Sequence, residues 1–100
     1  MPTPILPTIG RVVYYSPERD SSGACNMTQF GTDPLRADVI YVWEDGKVNL
    51  NVVDHAGQTY FEPEVRLVQD GEALPADGSD YAYWMPYQIA AAAKTEAPAA

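Results

Sequence analysis

Apolar and polar residues alternate most cleanly from Ala37 to Val53, ADVIYVWEDGKVNLNVV. A period of two predicts two strands there. In the first, Asp38, Ile40, Val42 and Glu44 share one face, and Val39, Tyr41 and Trp43 share the other. In the second, Val48, Leu50 and Val52 lie opposite Lys47, Asn49 and Asn51. Glu44-Asp45-Gly46-Lys47 between them predicts a hairpin, because Asp-Gly tolerates the positive φ a tight turn needs.

The same alternation predicts an earlier strand within Thr8 to Ser16, with Val13 and Tyr15 on one face and Val12 and Tyr14 on the other. Asp54-His55-Ala56-Gly57 predicts a second turn. Gln58 to Val68 follows, with Pro63 inside it. Proline cannot donate to a ladder, so this stretch is either an edge strand or two short strands with a kink. Its Val65 and Leu67 point one way, and Glu64, Arg66 and Val68 the other. Tyr81 to Tyr87, YAYWMPY, predicts a last strand closing the sheet against the first. Gln88 to Glu96 has strong helix propensity, with Pro86 suited to a first turn. The short connections leave no room for crossover helices and disfavour a parallel sheet. The expected fold class is all-β: a small antiparallel sheet or SH3-like partly open barrel with a short C-terminal helix.

The chain divides into a Pro-rich arm (1–7), a single β domain (8–87) and an Ala-rich helix or tail (88–100). Within the domain, 17–36 is polar and aperiodic. A loop of this length is long for a compact domain and is expected to be mobile, with Met27 and Phe30 able to pin it. The tetra-alanine run Ala90 to Ala93 offers a smooth surface for another chain.

Charge narrows the function. Fourteen acidic residues against six basic ones give a net charge of -8. That opposes binding to long nucleic acids and to anionic membranes, and suits a soluble domain. The acids are scattered, which weighs against imitation of DNA. The single cysteine, Cys25, cannot form an internal disulfide. The N-terminus lacks a signal-peptide pattern, and no apolar run reaches the about 20 residues that span a bilayer. The expected location is a cytoplasm.

Little here reads as catalysis. His55 is the one histidine and sits in a turn, where its default role is a polar surface residue. A Cys25–His55 nucleophile pair lacks the basic neighbours that would activate the thiol. Asp70, Glu72, Asp77 and Asp80 share a loop, and Asp54, Glu62 and Glu64 lie nearby in sequence. They do not follow a calcium-loop pattern, and the glycines do not form a phosphate loop. The expectation is of no enzyme, no metal and no cofactor.

The aromatics carry more information. Seven Tyr, two Trp and two Phe are too many for one small core. Tyr and Trp anchor interfaces because each joins an apolar body to a polar tip. Tyr15, Tyr41, Trp43, Tyr60, Tyr83, Trp84 and Tyr87 are therefore the candidate binding surface, against the plainer reading that a thin barrel uses them as core and rim.

Three blocks carry a resemblance. They are Pro7-Thr8-Ile9-Gly10-Arg11-Val12-Val13-Tyr14-Tyr15, then Val48-Asn49-Leu50-Asn51-Val52 with Asp54 to Gly57, and Trp84-Met85-Pro86-Tyr87-Gln88. Together they resemble small proteins encoded by tailed bacteriophages and prophages, with a P-T-x-G-R-x-V-x-Y opening, an N-L-x-V strand and a W-M-P-Y-Q close. The likeness spans about half the chain and transfers no functional residue. It implies a phage product in a bacterial host's cytoplasm or in the virion. The expected role is non-catalytic: a virion or assembly accessory component that binds a phage structural protein. The alternative is a host-directed anti-defence inhibitor that binds a host protein or, as a homo-oligomer, sequesters a small nucleotide signal.

Overall fold

The computed structural model describes residues 4–22 and 25–96. They form β1 (Val12–Ser16), β2 (Leu35–Val42), β3 (Val48–Val53), β4 (Thr59–Val65), β5 (Leu67–Val68), β6 (Tyr81–Tyr83) and α1 (Pro86–Glu96). The strands make one sheet in the order β4-β3-β2-β1-β6-β5. Its two edge strands, β4 and β5, are separated in the chain by Arg66 alone. The sheet must therefore curl until its edges nearly meet. The result is an all-β, partly open barrel with a short C-terminal helix.

All pairings are antiparallel except β5 with β6. That parallel pair corrects the expectation of a purely antiparallel sheet. A parallel return needs about a dozen residues but not a helix, and the loop 69–80 supplies them. β6 pairs with β1, as the aromatic block near the C-terminus predicts.

Alternation places the core. Val13 and Tyr15 from β1, Leu35, Ala37 and Val39 from β2, and Val48, Leu50 and Val52 from β3 all point inward. Val65, Leu67, Ala82 and Trp84 join them. One assignment of faces differs from the periodic reading. Val39 and Tyr41 do not share a face, because the register with β3 shifts between them. Ile40 is the extra residue, so Val39 points in while Tyr41 points out. Val68 is buried as well, but the core cluster takes Val65 and Leu67 and not Val68, in keeping with the opposite faces that alternation gives them.

Pro63 has both predicted effects. β4 lies at an edge, and the strand breaks before β5. The β3–β4 register also shifts beside it, and Glu64 takes a left-handed φ of 51°.

The two hairpin turns share one geometry. Gly46 N–H donates to Trp43 O, and Gly57 N–H donates to Asp54 O. Only the glycines have positive φ, 90° at Gly46 and 89° at Gly57. Each is a three-residue loop whose last residue must be left-handed, the position that favours glycine.

α1 starts where Pro86 permits it. Gln88 then reaches back, and its Oε1 accepts from Met85 N–H at 2.8 Å. This is the glutamine half of a capping box. Its Nε2 donates to Val12 O at 2.7 Å, tying the helix to β1. At the other end of the chain, the Gln69 amide clamps Ile5, accepting from Ile5 N–H and donating to Ile5 O, each at 3.0 Å.

Candidate functional site

The seven candidate aromatics separate into three groups. Tyr15 and Trp84 are core, 1% and 2% exposed. This corrects their assignment to a binding surface: each is large, each lies on an inward position, and a barrel this narrow needs them as filling. Their polar tips stay satisfied. Tyr15 Oη donates to Asp80 Oδ2 at 2.7 Å, and Trp84 Nε1 donates to Gln69 Oε1 at 3.2 Å. Tyr60 and Tyr83 are half-buried and occupied within the chain. Tyr60 Oη donates to Asp54 at 3.0 Å, and Tyr83 packs against Tyr14 and Tyr81 with ring centroids 5.5 and 5.7 Å apart. Burial, then the Tyr81 and Tyr14 hydroxyls, push the Tyr83 hydroxyl above its ordinary pKa. Tyr41, Trp43 and Tyr87 remain open to solvent.

His55 and Asp54 are both engaged within the chain. Asp54 is buried, and its carboxylate accepts from the N–H groups of Thr28, Ala56 and Gln58 and from Tyr60 Oη. Burial pushes this carboxyl up, but the hydrogen bonds outweigh it and hold the pKa below the ordinary value. Phe30 N–H donates to His55 Nδ1 at 2.7 Å, which leaves Nε2–H to donate to Pro34 O at 3.1 Å. The ring is fully engaged and forms no pair with Cys25, whose thiol donates to Met27 O. Together with buried Met27, these contacts tie the polar segment expected to be mobile to the second hairpin. Phe30 itself is exposed.

Three of the open clefts are lined by candidate aromatics. One of about 550 Å³ lies between the arm and α1, lined by Pro4, Ile5, Gly10, Arg11, Val12, Tyr87, Gln88, Ala91 and Ala92. Arg11 lies over the Trp84 ring there, 5.2 Å from its centroid. Of the tetra-alanine run, Ala91 and Ala92 line this cleft. A second cleft, also about 550 Å³, opens at the barrel mouth between Tyr15, Glu18, Arg19, Asp20, Cys25, Asn26 and Glu62. Burial, then Asp80 and Glu18, push the Glu62 carboxyl up. Burial, then the bond to Asp80, push the Tyr15 hydroxyl far up. Among the described residues, no group of three or more His, Cys, Asp or Glu is arranged to hold a metal ion.

The third cleft, about 420 Å³, is at the β2–β3 hairpin and is lined by Tyr41, Trp43, Glu44, Asp45 and Glu64. Tyr41 and Trp43 are 47% and 40% exposed. Their rings meet edge to face, with centroids 4.9 Å apart and planes at 76°. Asn49 Oδ1 accepts from Trp43 Nε1 and from Glu64 N–H, both at 2.8 Å. Of the three clefts, this one combines exposed aromatic faces with a fixed backbone. The periodic reading reaches Tyr41 and Trp43 but misses Glu44, Asp45, Asn49 and Glu64 as their partners. Pro63 inside a strand is the signal that the backbone turns there.

Compared with known proteins, the chain matches no family model, no curated protein and no solved structure.

Proposed function

We propose that this chain is a non-catalytic interaction protein of a tailed bacteriophage, acting as a small accessory component of the virion or of its assembly. The phage setting rests on the resemblance of the three sequence blocks. The interaction role rests on one observation: the Tyr41–Trp43 pair is held half-exposed on a hairpin that its own hydrogen bonds make rigid. Large rings kept out of a core that has room for Trp84 and Tyr15 are the kind of residue that dominates protein contacts.

The competing reading is the host-directed one. The barrel-mouth cleft carries Glu18, Asp20 and Glu62, and the hairpin cleft carries Glu44, Asp45 and Glu64. Their acids outnumber Arg19, the one basic residue lining either, so both disfavour phosphate, and host-protein binding is the form of the alternative that these two clefts favour.

A photo-crosslinking amino acid at position 41, used during infection, tests the choice. The accessory role predicts enrichment of the chain in purified particles and a crosslink to one phage structural protein that is lost in Trp43→Ala. Absence from particles, with a crosslink to a host protein, would replace it with the host-directed role.

A further inference from the structure

The hairpin cleft has a charge as well as a shape. An aromatic ring presents a negative face, strongest in tryptophan. Trp43 and Tyr41 line the cleft together with three carboxylates, Glu44, Asp45 and Glu64. Lys47 Nζ reaches Asp45 at 3.8 Å. Among the described residues, neither Glu44 nor Glu64 has an ion-pair partner. An anion placed here meets three carboxylates, of which only Asp45 is offset by a lysine, and a purely apolar group strips water from carboxylates without replacing it. A cation gains from both the rings and the acids.

We propose that this cleft receives a basic side chain of a partner protein, arginine first, with its guanidinium against Trp43 and within reach of Glu64. Arginine suits the site better than lysine, because its planar fork stacks on a ring and pairs a carboxylate through two hydrogen bonds at once. The proposal rests on the reading of this hairpin as a protein-contact surface and names what the partner must carry.

The site is organised before any ligand arrives. A single acceptor, Asn49 Oδ1, fixes both the Trp43 indole and the Glu64 backbone. Asn49 can do this because it alternates outward on β3, between buried Val48 and Leu50. Glu64 is held at φ 51°, the one non-glycine residue with positive φ among the described residues. Strain of that kind persists where surrounding structure enforces it, and it concentrates at ligand sites. A ring and a backbone already locked lose less freedom on binding. The net charge of -8 also favours encounter with a basic surface.

The test is an NMR titration of the whole chain with three short capped peptides, alike except for two arginines, two lysines or two glutamates. The arginine peptide is expected to shift the Trp43 indole N–H and leave that of Trp84 in place. The lysine peptide should bind more weakly and the glutamate peptide not at all, with affinity falling as salt rises. Trp43→Ala should weaken the arginine peptide roughly tenfold. The double variant Glu44→Gln, Glu64→Gln should weaken it by a factor of about three to ten, and Trp43→Phe should lie between wild type and Trp43→Ala. Amide dispersion reports whether each variant is folded. Equal binding of the three peptides, or a Trp43→Ala affinity within about twofold of wild type, overturns the proposal.

The two readings fail separately. If the crosslink from position 41 depends on Trp43 but the charge-neutral double variant keeps it and the arginine peptide does not bind, the cation receptor falls and the contact surface stands. If Trp43→Ala keeps the crosslink, the contact surface falls as well.

Discussion

Asp54 gathers three backbone N–H groups and the Tyr60 hydroxyl around one buried carboxylate. It thereby closes the second hairpin turn and anchors the long loop at Thr28. Because its folded pKa lies below the ordinary 3.8, its contribution to stability is present above that pH and is lost as pH falls through the folded value. Asp54→Asn keeps the shape and removes the charge. It should lower Tm at pH 7, and the gap from wild type should narrow in acid; melting curves across pH would show this. Glu62 runs the other way. Its folded pKa lies above the ordinary 4.5, so the stability linked to its protonation is full below about pH 4.5 and is lost as pH rises through the folded value. Glu62→Gln should therefore raise Tm at pH 7 and converge on wild type near pH 4.5. A Tm gain that stays constant with pH would refute the assigned cause, which is burial beside Asp80 and Glu18.

At the scale of elements, alternation and caps dominate. Leu50 is fully buried at the centre of β3, and Leu50→Ala should cost about 2–5 kcal/mol in urea denaturation. A loss below about 0.5 kcal/mol would contradict its inward position. Gln88 joins two elements, capping α1 at Met85 and holding Val12 O on β1. Gln88→Ala leaves a half-buried donor and an acceptor without partners, and should cost about 1–3 kcal/mol. That pair of bonds gives physical content to the W-M-P-Y-Q block: Trp84 fills the core, Pro86 permits the first turn, and Gln88 caps it.

For the whole molecule, the closing of the barrel depends on the step from β4 through Arg66 to β5. Gln69, just after β5, ties the arm to that end of the sheet. Its amide holds Ile5 by two hydrogen bonds and accepts from the Trp84 indole. Gln69→Ala should release the arm without unfolding the sheet. Hydrogen exchange would read this as faster exchange of the Ile5 amide with protection in β2 and β3 unchanged. Loss of protection across all strands would mean that the clamp supports the barrel itself.

The sequence by itself determined the class, the strands, both glycine turns and most of the core. These follow from period-two alternation and from turn chemistry, which act over a few residues. Alternation also placed Val13, Tyr15, Val48, Leu50 and Val52 correctly on one side. Only the tertiary structure decided the rest. A one-residue bulge at Ile40 turned Tyr41 outward, and periodicity has no means of locating an inserted residue. The barrel's narrow interior took Tyr15 and Trp84 as filling and left Tyr41, Trp43 and Tyr87 outside, a choice set by volume and not by residue type. The partners of Trp43 came from two other places in the chain, Asn49 on β3 and Glu64 beyond Pro63. They meet because the β3–β4 register shifts at that point, and a register between strands is a property of the assembled sheet.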